Sequence, residues 1–382
     1  MIQLFSGVVA LGTALSMGYC ALSVWSATRF LLRRTPTSHE ASSLPPVSIL
    51  KPLKGADLEM YECLRSHCAF NYEQYEILFG VNDPNDPAVA VVERLVHEFP
   101  NHDIRLLHCE TVLGANGKVS ALAQMARLAK HGFLLVNDSD IRVQPEYLRT
   151  VITELQRPNF GLVTCLYRGV RAGTLPSRLE SLGLSTDFGA GVLVARQVEG
   201  GLRFGLGSTL ALRKSDLEAI GGFESIVDYL ADDYELGRRI AERNLKVELS
   251  ESIVETFLPA YDFPGFLAHQ LRWARTIRTS RPAGYAGLLL TFTLPWAALT
   301  VLVARGATWS WEIFAAALLA RVAMAVVTGR LVLQDKEVLR SLWCLPVRDF
   351  VAFGIWLAGL AGNTVWWRGE LFKLRNGKLS KL

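Results

Sequence analysis

The chain has no C-x-x-C pair and no cysteine grouped with histidine at zinc-binding spacing. Its six cysteines, Cys20, Cys63, Cys68, Cys109, Cys165 and Cys344, are scattered through 382 residues, which excludes a zinc ribbon and a dithiol redox motif and fits a reducing compartment. Excess charge is lacking too. A formal net charge of +4, with the basic clusters set beside apolar segments, gives no footprint for nucleic acid, and none is expected as a partner.

Charge is missing altogether from long runs. There is none from Ile2 to Thr28, a stretch long enough for a helix to cross about 30 Å of hydrocarbon. Arg29, Arg33 and Arg34 follow at once, whereas a cleavable signal carries its charge before the apolar core, so a retained anchor is expected. Three more apolar blocks come late: Tyr285 to Ala304, Trp311 to Gly329 with Glu312 and Arg321 inside it, and Phe350 to Trp367. Arg321 is expected to face a helix bundle or a lipid headgroup.

Composition thus divides the chain into an anchor (residues 1–34), a soluble α/β domain (35–262), a basic interfacial helix (263–284) and a membrane region with a basic tail (285–382). Arg29, Arg33, Arg34, Arg272, Arg275, Arg278 and Arg281 flank the membrane segments on the domain's side and place the domain in the cytoplasm. Three crossings after it would leave the tail WWRGELFKLRNGKLSKL outside, against its charge. One C-terminal segment is therefore expected to be re-entrant or to lie in the interface. For Arg278 and Arg281, stems at headgroup level are the simplest reading.

Within the soluble domain, Pro45 to Gly55, Tyr75 to Asp83, DIRLLHC and FLLVND read as strands. Leu58 to Phe70, Ala88 to Phe99 and Val119 to Lys130 have helical spacing. That alternation predicts a three-layered, mostly parallel, Rossmann-like sheet, with ligands bound outside the carboxyl ends of its strands. Asp83 and Asp138 both stand there. Asp86 is equally well explained as a turn residue before proline.

The stretch FLLVNDSDIRV ends a buried strand in Asp138 and Asp140, a D-x-D spacing open to three readings: a metal site, a solvated turn or a helix cap. Gly205 and Gly207 would let backbone approach a ligand closely, though glycines also mark plain turns. Asp232 and Asp233 open a charged helix. Asp232 with Glu235 is close to a capping box, which leaves Asp233 free for the cleft, kept ionised by the helix dipole. A D-x-D pair suits Mg²⁺ or Mn²⁺ with positions open to phosphate oxygens, and a separate carboxylate can act as general base. Lys118 and Arg272 can add positive charge near phosphates.

The series VND, GKVSAL, NDSDIRV, GGF, ADDYELGRRI and HQLRW resembles the ceramide glucosyltransferase family, glycosyltransferase family 21, over about residues 45 to 283. Within it, the chain looks most like the bacterial hopanoid-biosynthesis branch. The resemblance implies a GT-A fold with one N-terminal and about three C-terminal membrane segments, at a bacterial inner membrane. It implies inverting transfer from a UDP-sugar, N-acetylglucosamine in that branch, to a membrane lipid alcohol such as a hopanoid polyol, with ceramide and UDP-glucose as the alternative. By the same resemblance Asp83 lies near uracil and ribose, Asp138 and Asp140 at a divalent metal and the diphosphate, and Asp233 acts as base. Pro52, Lys118, Gly207 and Asp232 line the donor site, and Arg272 and Trp273 complete the catalytic set. The last motif departs from the family: His269 stands where Gln or Arg is expected, with Gln270 one step late. Some members have Gly in place of Asp140. Leu179 to Val198 is the candidate acceptor segment. A processive polysaccharide synthase or transporter is the reading from another class, weakened by the few membrane segments; an inactive scaffold is a third.

Overall fold

The computed structural model describes residues 2–33, 44–57 and 59–382; Arg34 and Leu58 lie outside the described residues. Eleven strands are present among them: β1 (Val47–Leu53), β2 (Tyr75–Val81), β3 (Asp103–His108), β4 (Phe133–Val136), β5 (Ile141–Arg142), β6 (Phe160–Val170), β7 (Leu210–Arg213), β8 (Lys246–Phe257), β9 (Thr364–Trp367), β10 (Glu370–Arg375) and β11 (Lys378–Lys381). The helices in the first half of the chain are α1 (Ile2–Leu32), α2 (Met60–His67), α3 (Ala88–Glu98), α4 (Gly117–Leu128), α5 (Tyr147–Leu155), α6 (Leu175–Gly183) and α7 (Gly189–Val198). Later come α8 (Lys214–Ala219), α9 (Asp232–Glu242), α10 (Phe263–Ser280), α11 (Pro282–Gly287), α12 (Thr293–Val303), α13 (Thr308–Ala325), α14 (Glu337–Ser341) and α15 (Leu345–Gly359). Two π-helical stretches, Leu184–Phe188 and Val326–Val332, extend α6 and α13.

The chain forms two compact units. The α/β unit holds an eight-stranded sheet in the order β3-β2-β1-β4-β7-β6-β8-β5. β3, β2, β1 and β4 are parallel, as the alternation of strands and helices predicts. β7 runs antiparallel to both β4 and β6, and β5 antiparallel to β8. β7 is reached from β6 through α6, α7 and the glycine-rich loop after residue 200. β1 is buried along its whole length, as befits a strand covered on both faces, and the one polar residue of its VSIL run, Ser48, donates to Glu76 Oε1 at 2.5 Å. Asp83 and Asp138 stand just past the ends of β2 and β4, on either side of β1.

The helical unit contains α1, residues 171–198 and residues 260–376. Ser6–Leu32, Thr308–Val332 and Glu337–Gly359 are each long and apolar enough to cross a membrane, and Pro282–Thr291 with Thr293–Val303 makes a fourth candidate bent by 56°. Arg321, only 1% exposed, faces the interior of this unit. Its Nε donates to Asp349 at 3.0 Å and its Nη2 to Thr186 at 3.2 Å, and Asp187 completes the pairing. Paired carboxylates remove most of the penalty of burying that charge inside the protein. Arg278, for which headgroup level is the simplest expectation, donates to the carbonyls of Gly359, Leu360 and Gly362 and so caps α15.

Candidate active site

The site is built on a turn, a loop and a helix start. Residues 138–140 leave β4, and β1 pins them. Lys51, fully buried, donates from Nζ to the carbonyl of Asp138 at 2.7 Å. Burial pulls the Lys51 ammonium down to about 8, despite the neighbouring Asp138 and Asp140 carboxylates. On the other side, β8 takes Asp140: its carbonyl accepts from the Phe257 amide at 3.0 Å and its Oδ2 from the Thr256 hydroxyl at 2.6 Å. Burial, then the charge of Asp138, raises the Asp140 carboxyl to about 6.

The loop carrying Gly207 is tied down around that turn. Asn137 donates to the Ser208 carbonyl at 2.6 Å and to Tyr147 Oη at 2.9 Å. Thr164 accepts from the Leu206 amide at 2.9 Å and donates to the Thr209 carbonyl at 2.7 Å. The Gly207 amide donates to Asp233 Oδ2 at 2.8 Å. A methyl group at Gly207 would meet Asp138 Oδ2 at 3.0 Å and Asp233 Oδ2 at 3.4 Å, so the two carboxylates close on this backbone position from different elements.

Lys118 joins the acids by charge. Its Nζ lies 2.8 Å from Asp138 Oδ1 and 3.0 Å from Asp232 Oδ2. Burial opposes the Lys118 charge, but the Asp138 and Asp232 carboxylates outweigh it and raise its affinity for the proton. The residue is delivered there by Asn116, which caps α4 by accepting from the Val119 amide and donates to the Tyr229 carbonyl at 2.7 Å.

At the start of α9 the sequence expectation is corrected. Ala231, not Asp232, is the N-cap residue, and no side chain caps the helix. The chain becomes helical one residue earlier than a capping box requires, so Asp232 sits in the first turn and Lys118 takes its carboxylate. Asp233 accepts from its neighbour's amide, Tyr234 N, at 2.7 Å as well as from Gly207. Burial and the adjacent Asp232 charge push the Asp233 carboxyl up to about 6, more than the Lys118 charge and the Tyr234 amide offset. It is mostly ionised at pH 7, within reach of general-base work.

Asp83 takes a humbler place: its Oδ1 accepts from the Asn85 amide at 2.9 Å in an exposed turn. Asp86 is structural, its carboxylate holding the Gly55 and Ala88 amides. Pro52 pairs with Gly80 in the sheet, beside Lys51. Lys51, Asn137 and Thr164 escaped the sequence reading. Lys51 had left a signal, a lone charge inside a run of strand-forming apolar residues.

His269, Gln270, Arg272 and Trp273 belong to the helical unit, on α10. His269 Nδ1 lies 3.1 Å from Glu180 Oε1 and 3.2 Å from Tyr261 Oη, and its ring stands 5.3 Å from that of Trp273. Gln270 is buried.

Among the described residues no group of three His, Cys, Asp or Glu side chains is placed to hold a metal ion. A closed protein cage is thus absent there. Two hard carboxylates on one turn, Asp138 and Asp140, fit an ion that takes the rest of its shell from phosphate oxygens and water.

The chain matches the family profile described as glycosyl transferase family 21 over residues 8–380. It belongs to that family. Among curated relatives of this family 21 chain, ceramide glucosyltransferase 3 of Caenorhabditis elegans is 31% identical over 238 residues, 62% of this chain and 51% of the relative. Ceramide glucosyltransferase of Candida albicans is 32% identical over 132 residues, 31% of this chain and 24% of the relative. The chain spans about half the length of the first of these. A mannosyltransferase from Pyrobaculum calidifontis, PcManGT, solved with GDP-Man and Mn²⁺, superposes with a TM-score of 0.56 at 18% identity, covering 93% of this chain and 98% of that one. That likeness establishes the fold: the family 21 chain has the α/β architecture of GT-A-like glycosyltransferases.

Proposed function

We propose that this family 21 protein is an inverting glycosyltransferase that moves a hexose from a UDP-sugar to a membrane lipid alcohol. One observation carries the proposal: Asp138 and Asp233, 95 positions apart, bring their carboxylates to the same glycine, with Lys118 bound to Asp138 and to Asp232. A base, a cation and a carboxylate turn at the ends of parallel strands meet the needs of a displacement in which a diphosphate departs.

In this reading Asp233 accepts the proton of the acceptor hydroxyl as its oxygen attacks the anomeric carbon, and the bond to the UDP oxygen breaks on the opposite face. The Gly207 amide holds Asp233 in place for that transfer. Lys118 lends positive charge beside the phosphates and keeps Asp138 and Asp232 from repelling them. A divalent cation on Asp138 and Asp140, when bound, would neutralise charge on the leaving diphosphate. Asp83 is assigned to the nucleoside, and Arg272 and Trp273 to the diphosphate or acceptor. Leu179 to Val198 remains the acceptor segment.

The finer assignment is N-acetylglucosamine on a hopanoid polyol, which rests on the likeness of the motif series to that branch, at the inner membrane with the domain cytoplasmic. The names of the curated relatives favour a second reading, glucose on ceramide. Mass spectrometry of the lipid formed by purified protein supplied with each UDP-sugar and each lipid decides between them. A hexosylated ceramide and no hopanoid product would remove the first assignment; a polymer would count against single transfer to a lipid.

A further inference from the structure

We infer that the apolar pair α14–α15 does not cross the membrane but lies along the bilayer surface beside α10, with the stripe Leu339, Trp343, Val347, Phe350 and Leu357 in lipid. The chain then crosses three times and returns its C-terminus to the side of the α/β unit. The inference is independent of the sugar and of the acceptor.

The first argument is parity. The last residues of the chain belong to the α/β unit: the Leu230 amide donates to the Gly377 carbonyl at 3.1 Å, and the Leu379 amide to the Asp228 carbonyl at 2.7 Å. Both ends of the segment between residues 260 and 376 are therefore on one side of the bilayer, and it crosses an even number of times. It contains three apolar candidates, so one of them does not cross.

Contacts along α1 show which two do. Arg29 over the Trp25 ring marks the C-terminal end of α1, after which the sequence continues into the α/β unit. Cys20 Sγ lies 3.2 Å from Thr293 Oγ1, and Thr13 Oγ1 lies 2.8 Å from Thr300 Oγ1. Next to Thr13, Gly12 leaves room for the Trp296 ring, which a methyl group there would meet at 2.7 Å. α12 thus descends antiparallel to α1 and reaches the level of Val9, about 30 Å from Arg29 at 1.5 Å per residue. The bent pair therefore crosses in full. α13 comes back: Met324 packs against Cys20, and Thr308 lies about 24 Å further toward the far side. The exposed Trp309 and Trp311 stand at that far interface.

α14–α15 behaves differently. It begins at Glu337, 3.0 Å from Arg171, one residue past the end of β6. It ends at Gly359, whose carbonyl accepts from Arg278 of α10 at 2.7 Å. Between these points it follows α10: Leu345 and Cys344 share a buried cluster with Phe266, and a methyl at Gly359 would touch Ala274. α10 carries His269, Arg272, Arg275 and Arg278 and has no place in hydrocarbon. A helix lying along it is held at the same depth. The side of α14–α15 away from the protein is apolar at spacings of four, four, three and seven residues, and each of these five side chains is about half exposed. Such a stripe requires cover, and an in-plane helix obtains it from lipid.

Single cysteines test this in the full-length protein in cells, labelled with a membrane-impermeant maleimide before and after permeabilisation. Glu93→Cys reports the side of the α/β unit, Thr308→Cys the loop before α13, Lys336→Cys the loop before α14, and Ser380→Cys the tail. All four positions are exposed, and the six native cysteines are buried. Glu93→Cys, Lys336→Cys and Ser380→Cys are expected to label in one condition and Thr308→Cys in the other. Lys336→Cys labelling together with Thr308→Cys would mean that α14–α15 crosses, and Ser380→Cys labelling on the opposite side from Glu93→Cys would break the parity; either result overturns the inference.

Discussion

The Gly207 amide and Asp233 Oδ2 are 2.8 Å apart, a backbone donor from one loop fixing the carboxylate proposed as base. The room beside that amide is limited, because a methyl group would sit 3.0 Å from Asp138 Oδ2. Gly207→Ala should fold, since its backbone lies outside the left-handed region, but it should displace both acids. A misplacement on the order of 1 Å costs ~100-fold in rate. Turnover of UDP-sugar is the measurement, and unchanged kcat would show that the two carboxylates have slack.

Asp233→Asn keeps the side chain's shape and its acceptor toward Gly207 but cannot take a proton. Loss of a positioned base costs roughly 10² to 10⁴ in rate. The expected outcome is a collapse of kcat with UDP-sugar binding by calorimetry preserved. Full activity in this variant would remove Asp233 from the chemistry.

Lys118 neutralises two acids within 3.0 Å while 8% exposed. Lys118→Met leaves Asp138 and Asp232 facing each other without a counter-charge. Breaking a buried pair by deleting one partner costs about 3 to 5 kcal/mol, a loss that thermal unfolding in detergent would register. Lys118→Arg keeps the charge and should lose much less.

Glu154 on α5 provides a pH test away from the site. Burial pushes its carboxyl up to about 7; the nearby Glu248 charge adds to this, while the Ser250 hydroxyl, the Glu251 amide and Arg157 pull the other way. Its folded pKa exceeds the unfolded value of 4.5, so the fold holds the proton more tightly than the open chain does. Stability from this group is complete below about pH 4.5 and is lost as pH rises through about 7. The shift corresponds to roughly 3 kcal/mol. Glu154→Gln should therefore flatten the stability profile between those values and unfold at higher temperature than the parent at pH 8. A parallel profile for the two proteins would show that Glu154 does not titrate in that window.

Much of this was legible in the sequence because period and composition carry it. The apolar runs marked the candidate membrane helices, although the block Phe350 to Trp367 took in only the end of the helix Glu337–Gly359 and ran on into β9, and alternating strands and helices placed Asp83 and Asp138 beyond strand ends. What escaped depended on contacts between distant residues. Lys51 reaches Asp138 from a neighbouring strand, and Lys118 takes Asp232 away from its expected role at the helix start. No local pattern encodes either. The tail was read only as basic, although Asn376-Gly377 is a hairpin signal and both residues adopt positive φ, 51° and 77°. Its charge hid its β character.

Arg278 lends itself to a test in the helical unit. Its guanidinium spans the Gly359, Leu360 and Gly362 carbonyls and Asn363 Oδ1, groups that the end of α15 leaves without intrahelical partners. Only a planar fork reaches all four, so Arg278→Lys should behave as a loss and not as a conservative change. Each charged hydrogen bond of this kind is worth about 1.5 to 3 kcal/mol where it is buried, and less at this partly exposed position. The turn at residues 360–363 should then open, which hydrogen exchange of the α15 C-terminus would report as faster exchange confined to that end. Uniformly faster exchange across α13 and α15 would instead show that Arg278 supports the whole helical unit, and unchanged exchange that the cap contributes nothing.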